Sequence, residues 1–142
     1  MRVDFYLLNQ HQPDHRWLVA CRLLEKAYFK GRQVFVFCSS QQEAEKLDER
    51  LWTYREDSFV PHNLQGEGPE PPPPIQIGHA GEPRGFNDIL MNMSGSMPSF
   101  HSRFQRIIEI VANDDTSKEC SRQLYREYRA LNFELHVHHL DW

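Results

Sequence analysis

The chain has 142 residues, of which 39% are hydrophobic and 25% charged, and its formal net charge is −4. This length suits one globular domain, and the ordinary charge fraction argues against wholesale disorder. The negative charge argues against a general nucleic-acid coat protein. No apolar run is long enough for a membrane span or typical of a signal peptide, so no membrane partner is expected. The scattered cysteines (Cys21, Cys38, Cys120) favour a reducing compartment. We therefore expect a single cytoplasmic domain over residues 1–142.

The first fifty residues predict two strand–helix units. An apolar run at 3–8 indicates a strand, and apolar residues at three- and four-residue steps over 16–30 indicate an amphipathic helix. The unbroken β-branched and aromatic run at 34–38 indicates a strand that is buried on both faces. Ser40 and Glu43 fit a capping box that begins a second helix. Alternating strands and helices predict an α/β fold.

The middle of the chain has a less regular pattern. Residues 52–64 are aromatic but not periodic, and the proline-rich run at 69–74 predicts a loop. Short strands are expected at 75–77 and 88–93, and a buried strand at 107–111.

The pattern near the end predicts one more helix and one more strand. Thr116 and Glu119 fit a second capping box, and the helix that it begins is expected to end near Leu131. Apolar residues alternate with polar ones over 133–137, as in a half-buried closing strand.

The sequence has no short catalytic fingerprint, such as a nucleophile elbow, a phosphate-binding loop or a zinc-binding His-Glu-x-x-His motif. His136, His138 and His139 invite a metal interpretation, although a solvated terminal strand is the simpler one. Asp114 and Asp115 fit a paired acid and base less well than helix capping. We expect no metal ion and no cofactor.

Cations recur at three- and four-residue steps along the last predicted helix, so they share one face: Lys118, Arg122, Arg126 and Arg129. Tyr125 lies on or near that face. On an acidic chain, a basic stripe edged by an aromatic ring suits an acidic peptide with an apolar anchor, or a phosphate backbone. A solvated helix face is the alternative.

A second unusual feature is the aromatic stretch that contains Trp52, Tyr54, Phe59 and Val60. Such side chains either close the core or form a patch of the residue types that dominate binding hot spots. The residues alone leave both interpretations open.

Two segments resemble the chi subunit family of bacterial DNA polymerase III. They are Leu-Asp-Glu-Arg-Leu-Trp at 47–52 and Asp-Ser-Phe-Val-Pro-His-Asn-Leu-Gln-Gly-Glu-Gly-Pro at 57–69. Phe-Tyr-Leu-Leu at 5–8 and Tyr-Arg-Glu-Tyr-Arg at 125–129 are similar to that family as well. The resemblance covers essentially the whole chain, but the run at 69–74 is richer in proline than the family leads us to expect.

The resemblance implies a Rossmann-like three-layer α/β fold with a mostly parallel central sheet and no nucleotide site. It implies a non-catalytic accessory subunit of the clamp-loader assembly, without a cofactor. Such a subunit bridges the psi subunit to the acidic C-terminal tail of the single-stranded DNA-binding protein, and it contacts DNA only indirectly. The alternatives are an adaptor for a repair helicase in place of psi, and a small Rossmann-like nucleotide-binding enzyme.

The resemblance also implies roles for particular residues. Tail binding falls on residues of the last helix and the strand before it: Lys118, Arg122, Tyr125, Arg126 and Val111. Psi binding falls on residues of the central aromatic stretch: Trp52, Phe59, Val60 and Pro61.

Overall fold

The computed structural model describes residues 1–12, 14–57, 59–68 and 70–142. Pro69 of the proline-rich run and Ser58 of the quoted motif lie outside these ranges. The strands are β1 (Arg2–Leu8), β2 (Val34–Phe37), β3 (His62–Leu64), β4 (Ile75–Gly78), β5 (Ile89–Asn92), β6 (Arg106–Val111) and β7 (Glu134–Leu140). The helices are α1 (His15–Phe29), α2 (Gln41–Thr53) and α3 (Asp115–Ala130), and a 3-10 helix spans His101–Arg103.

The seven strands of the described chain form one parallel sheet in the order β3-β4-β2-β5-β6-β1-β7. Helices α1 and α2 cover one face of the sheet, and α3 covers the other. Parallel strands require crossover connections, which place helices on the sheet faces. The expected three-layer α/β fold with a parallel central sheet is confirmed.

The core consists of one hydrophobic cluster on each face of the sheet. Strand β2 contributes to both: Val34 and Val36 pack beneath α1 and α2, whereas Phe35 packs among aromatic rings on the α3 side. None of these three side chains is exposed. The unbroken apolar run in the sequence is therefore explained, because both faces of this strand are buried.

The start of α2 follows the sequence-based prediction. Ser40 is the N-cap, and its hydroxyl accepts a hydrogen bond of 3.1 Å from the backbone N–H of Glu43. The Glu43 carboxylate forms an ion pair of 2.8 Å with Arg16 of α1. This side chain therefore ties the two helices together at their N-terminal ends.

The start of α3 confirms the capping interpretation of Asp114, whereas the capping box at Thr116 and Glu119 is wrong. The N-cap is Asp114, whose carboxylate accepts a hydrogen bond of 2.7 Å from the backbone N–H of Ser117. This bond, with a second one from the Ser117 hydroxyl, lowers the pKa of Asp114. Asp is a strong N-cap residue, and its charge favours the helix dipole. Thr116 lies inside the first turn.

Two further differences concern short elements. Strand β3 lies in the polar part of the aromatic stretch and was not expected from the sequence, since three residues are too few to show periodicity. Phe100 and Phe104, whose spacing of four would fit one helical turn, instead flank the 3-10 helix, and both are buried. Among the helices of the described ranges, none combines the length and apolar character needed to cross a bilayer.

Candidate protein-binding surfaces

A groove of about 290 Å³ lies between α3 and the neighbouring strands β1 and β7 at one edge of the sheet. The strands supply apolar residues and the helix supplies the rest of the lining: Phe5, Leu7 and Val137 with Ser121, Arg122, Tyr125 and Arg126. We call this surface the α3 groove.

The floor of the α3 groove follows from strand register. Phe5 and Leu7 are two residues apart on β1, so both side chains face α3. Phe5 is paired with Val137 of the edge strand β7. On the helix side, the ring centroid of Tyr125 lies 5.6 Å from that of Phe5. The groove therefore offers an apolar floor of about the width that one aromatic or aliphatic side chain needs.

Two guanidinium groups border this floor. Arg122 forms an exposed ion pair of 3.1 Å with Glu119, and Arg126 donates a hydrogen bond of 2.8 Å to the side-chain oxygen of Gln123. Exposed pairs of this kind contribute little, typically below about 1 kcal/mol. A carboxylate of a bound molecule could therefore replace Glu119 or Gln123 at small cost.

The structure brings together some of the sequence-predicted tail-binding residues and separates others. Arg122, Tyr125 and Arg126 all line the α3 groove. Lys118 lies one turn earlier on the same exposed face of the helix, outside the groove. Val111 is buried and lines a different cavity, which shares Ser121 with the groove.

Four groove residues do not follow from the sequence: Ser121 of α3 and the strand residues Phe5, Leu7 and Val137. The apolar run of β1 and the alternation along β7 each indicate a strand, but such a pattern does not reveal which strands lie side by side. Only the sheet order, with β7 next to β1, brings these strand residues beneath α3.

The neighbouring cavity lies at the carboxyl ends of β5 and β6 and has a volume of about 170 Å³. This edge is where parallel α/β sheets bind ligands. Its lining includes the carboxyl groups of Glu43 and Glu109, and its cation, Arg16, is paired with Glu43. Pockets for small-molecule ligands usually measure about 300–1,000 Å³. Size and charge therefore do not favour a nucleotide here.

A buried polar network joins this cavity to α3. The Glu109 carboxyl accepts hydrogen bonds of 2.8 Å from the side-chain amide of Asn92 and 2.7 Å from the Tyr128 hydroxyl. Burial raises the pKa of Glu109 to about 8, although both hydrogen bonds oppose the shift. Burial and the neighbouring Glu109 raise the pKa of Tyr128 as well. The network fixes α3 on the sheet, and with it the helix side of the groove.

A second surface lies at the end of α2 and is formed by Trp52 and Phe59. Their side chains are 56% and 60% exposed, and their ring centroids are 5.5 Å apart. Two large exposed rings in contact form an apolar patch of the kind found at protein interfaces. We call it the Trp52 patch.

The Trp52 patch rests on His62, whose ring centroid lies 4.8 Å from that of Trp52. His62 is buried; its Nδ1 lies 2.7 Å from the carbonyl of Val60, and its Nε2 lies 3.2 Å from the Asp48 carboxylate. Val60 itself is only 2% exposed and belongs to the core. Of the predicted psi-binding residues, Trp52 and Phe59 present their rings, Pro61 is half-buried, and Val60 supports the segment from inside.

The terminal histidines are engaged with carboxylates rather than with one another. The Nε2 atom of His136 lies 3.0 Å from Glu134, and that of His138 lies 2.8 Å from Asp4, whereas His139 is exposed. Within the described ranges, no group of three or more His, Cys, Asp or Glu residues could hold a metal ion.

Asp4 of β1 is a buried carboxylate that accepts hydrogen bonds from several side chains. It is fully buried and accepts a bidentate interaction from Arg2, a bond of 2.7 Å from Arg106, and one from His138. The His138 ring is stacked on Tyr6. Burial alone would raise the pKa of Asp4, but hydrogen bonds from Arg2, His138 and Arg106 outweigh it and lower the pKa to about 2.

Comparison with known proteins gives one consistent result. The family model described as "DNA polymerase III chi subunit, HolC" matches residues 1–136. The DNA polymerase III subunit chi of Pseudomonas aeruginosa is 36% identical over 139 residues, which span 98% of this chain and 96% of that protein. The DNA polymerase III subunit chi of Haemophilus influenzae is 34% identical over 134 residues, which span 93% of this chain and 92% of that protein. That of Escherichia coli is 33% identical over 138 residues, spanning 94% of each chain.

Proposed function

Because this chain belongs to the DNA polymerase III chi subunit family, we propose that it bridges the psi subunit to the acidic C-terminal tail of the single-stranded DNA-binding protein. Membership makes it an accessory subunit of the replicative polymerase that partners with other polymerase III components. The finer proposal is that it acts within the clamp-loader assembly, in the cytoplasm, as one non-catalytic domain without a cofactor. It contacts DNA only indirectly.

The single observation that best supports tail binding is the combination of apolar floor and cationic rim in the α3 groove. An aromatic residue of the tail would bury its ring against Phe5 and Tyr125, which is worth about 1.5–3 kcal/mol. Carboxylates of the tail would accept charge-assisted hydrogen bonds from Arg122 and Arg126. Lys118 would attract acidic residues farther along the tail, and Val111 would act from beneath, through the adjoining cavity. These gains offset the cost of ordering a flexible peptide, so a micromolar affinity is expected.

Arg122→Ala is expected to weaken binding of a tail peptide by about tenfold, since it removes one partly exposed charge-assisted contact. The measurement is calorimetric titration of the chain with a peptide of the acidic C-terminal tail. Binding should also weaken as salt rises, because the guanidinium groups are exposed.

Arg84→Ala is the matched control, since Arg84 is exposed and lies outside the α3 groove. It should bind like the wild type. Single-stranded DNA, titrated in parallel, should bind far more weakly than the peptide. The placement of the tail in the groove is wrong if Arg122→Ala and Arg84→Ala bind the peptide equally well.

The Trp52 patch supports psi binding, because exposed tryptophan and phenylalanine rings in contact are typical hot-spot residues. It lies on the α2 side of the sheet, whereas the α3 groove lies on the other side. One chain could therefore hold both partners at the same time. The alternative partner for this patch, a repair helicase in place of psi, would use the same exposed rings.

Trp52→Ala and Phe59→Ala are each expected to weaken the complex with psi by at least about thirtyfold, which corresponds to a hot-spot loss of about 2 kcal/mol. Co-purification followed by a binding titration measures this. Leu131→Ala, which truncates an exposed apolar residue elsewhere, is the control and should keep full affinity. A full-strength psi complex with either ring removed would show that psi binds elsewhere.

A further inference from the structure

A third surface lies on the outer side of α1 and is used by neither proposed partner. It consists of residues at steps of four, four and three, which share one helix face: Leu18, Arg22, Lys26 and Phe29. All four are exposed, and the apolar ones are 44% (Leu18) and 71% (Phe29) accessible. We call this surface the α1 outer face.

The two cations of the α1 outer face are held in place without an acidic partner. The Arg22 guanidinium lies 4.2 Å from the ring centroid of Trp142, and the Lys26 ammonium lies 5.5 Å from it. Glu25, the single acidic residue of α1, lies one turn from Arg22, but its side chain is buried and paired with Arg55. In the described part of the chain, neither Arg22 nor Lys26 forms an ion pair.

We infer that the α1 outer face docks an acidic amphipathic helix of a partner protein. Leu18 and Phe29 are eleven residues apart, about 16 Å along the helix axis, so they match apolar residues three turns apart on a partner helix. Between them, Arg22 and Lys26 would meet two carboxylates. Because Trp142 already orders both cations, little side-chain entropy is lost when the carboxylates bind.

The same arrangement argues against a second copy of this chain as the occupant. A two-fold axis across α1 would place Leu18 near Phe29 of the other copy, which is favourable. It would also bring Arg22 and Lys26 against the same cations of the other copy, which is repulsive. The occupant must therefore carry acidic residues in the middle of its contact.

Single-stranded nucleic acid also fits less well than a helix. Within the α1 outer face Phe29 alone offers a ring on which a base could stack, because Leu18 has none and the Trp142 ring has both cations close to it. Two cations on a convex helix face make too few phosphate contacts for useful affinity on an acidic chain.

The test uses a labelled helical peptide of about 18 residues that carries Leu, Glu, Glu and Leu on one face at the spacing of the α1 outer face. Fluorescence anisotropy with the full chain should show saturable binding that weakens severalfold between about 25 mM and about 300 mM salt. The double variant Arg22→Glu/Lys26→Glu should bind at least about tenfold more weakly. Leu18→Ala/Phe29→Ala should lose affinity while it retains the salt dependence.

The controls separate this surface from the α3 groove and from unspecific charge attraction. Arg84→Glu, which changes an exposed cation elsewhere, should leave peptide binding intact, and a peptide with the same residues scattered around the helix should not bind. Absence of binding overturns the inference. So does loss of binding in Arg122→Glu but not in Arg22→Glu/Lys26→Glu, which would place the peptide in the α3 groove. If labelled oligo-dT of about 20 nucleotides binds the wild type but not Arg22→Glu/Lys26→Glu, this face is a nucleic-acid site instead.

Discussion

Asp4→Asn is expected to lower the free energy of unfolding by about 3 kcal/mol, because it leaves partly buried guanidinium groups without their shared carboxylate. Asp4 is fully buried and accepts hydrogen bonds from Arg2, Arg106 and His138. Urea unfolding followed by circular dichroism measures the change. Asp57→Asn is the matched control. Asp57 is exposed and its ion pair with Arg55 is long, at 3.5 Å, so loss of this charge should change the free energy of unfolding little.

The effect of Asp4 should depend on pH in a defined direction. Its pKa is about 2 in the folded chain, below the ordinary value of 3.8, so the folded state favours the ionised form. The stability that this carboxylate contributes is present above about pH 4 and is lost as pH falls toward 2. The difference between wild type and Asp4→Asn should therefore shrink in that acidic range. An equal difference at pH 7 and near pH 2 would contradict the assignment.

Glu109→Gln is expected to remove a pH dependence of opposite sign. Burial raises the pKa of Glu109 to about 8, so the folded chain keeps this carboxyl protonated where the unfolded chain has lost the proton. The free energy of unfolding of the wild type should fall by up to about 1.4 kcal/mol per pH unit from pH 5 toward 8, and then level off. In Glu109→Gln this contribution is absent, while the Tyr128 hydroxyl can still donate to the side-chain carbonyl.

The comparison needs an exposed glutamate as a control. Glu56 is exposed, so Glu56→Gln should keep the wild-type slope. The readout is the difference in unfolding free energy between each variant and the wild type across pH 5 to 8, which cancels other titrating groups. A Glu109→Gln curve parallel to that of the wild type would show that Glu109 is ionised in the folded chain.

Most of the fold could be predicted from the sequence because its strands and helices have clear local sequence patterns. The apolar run of β2 and the Ser40 cap of α2 are local patterns, and each was located correctly. At the start of α3 the capping role of Asp114 was correct and the capping box at Thr116 was wrong, because two acceptable caps lie two residues apart. Asp114 is used because its carboxylate reaches the N–H of Ser117. Strand β3 was missed because tertiary pairing with β4, rather than propensity, makes it a strand.

The sequence predicted those parts of the candidate surfaces that lie on a single helix or strand. The basic face of α3, with Arg122, Tyr125 and Arg126, followed from helical periodicity and lines one groove. The floor of that groove comes from two strands, whose adjacency no local pattern reveals. The burial of Val60 likewise depends on where the loop after α2 turns inward.

The position of β1 in the sheet has a consequence for biosynthesis. This first strand pairs with β6 and β7, so Arg2 lies opposite Arg106 on one side and Glu134 on the other. A nascent chain emerging from the ribosome thus carries an apolar strand with both edges open until β6 and β7 have been made, a state prone to aggregation. Phe5, Leu7 and Val137 meet only when the last strand arrives. Chains that stall before β7 therefore lack the complete α3 groove, and only chains that contain β7 can compete for whatever binds there.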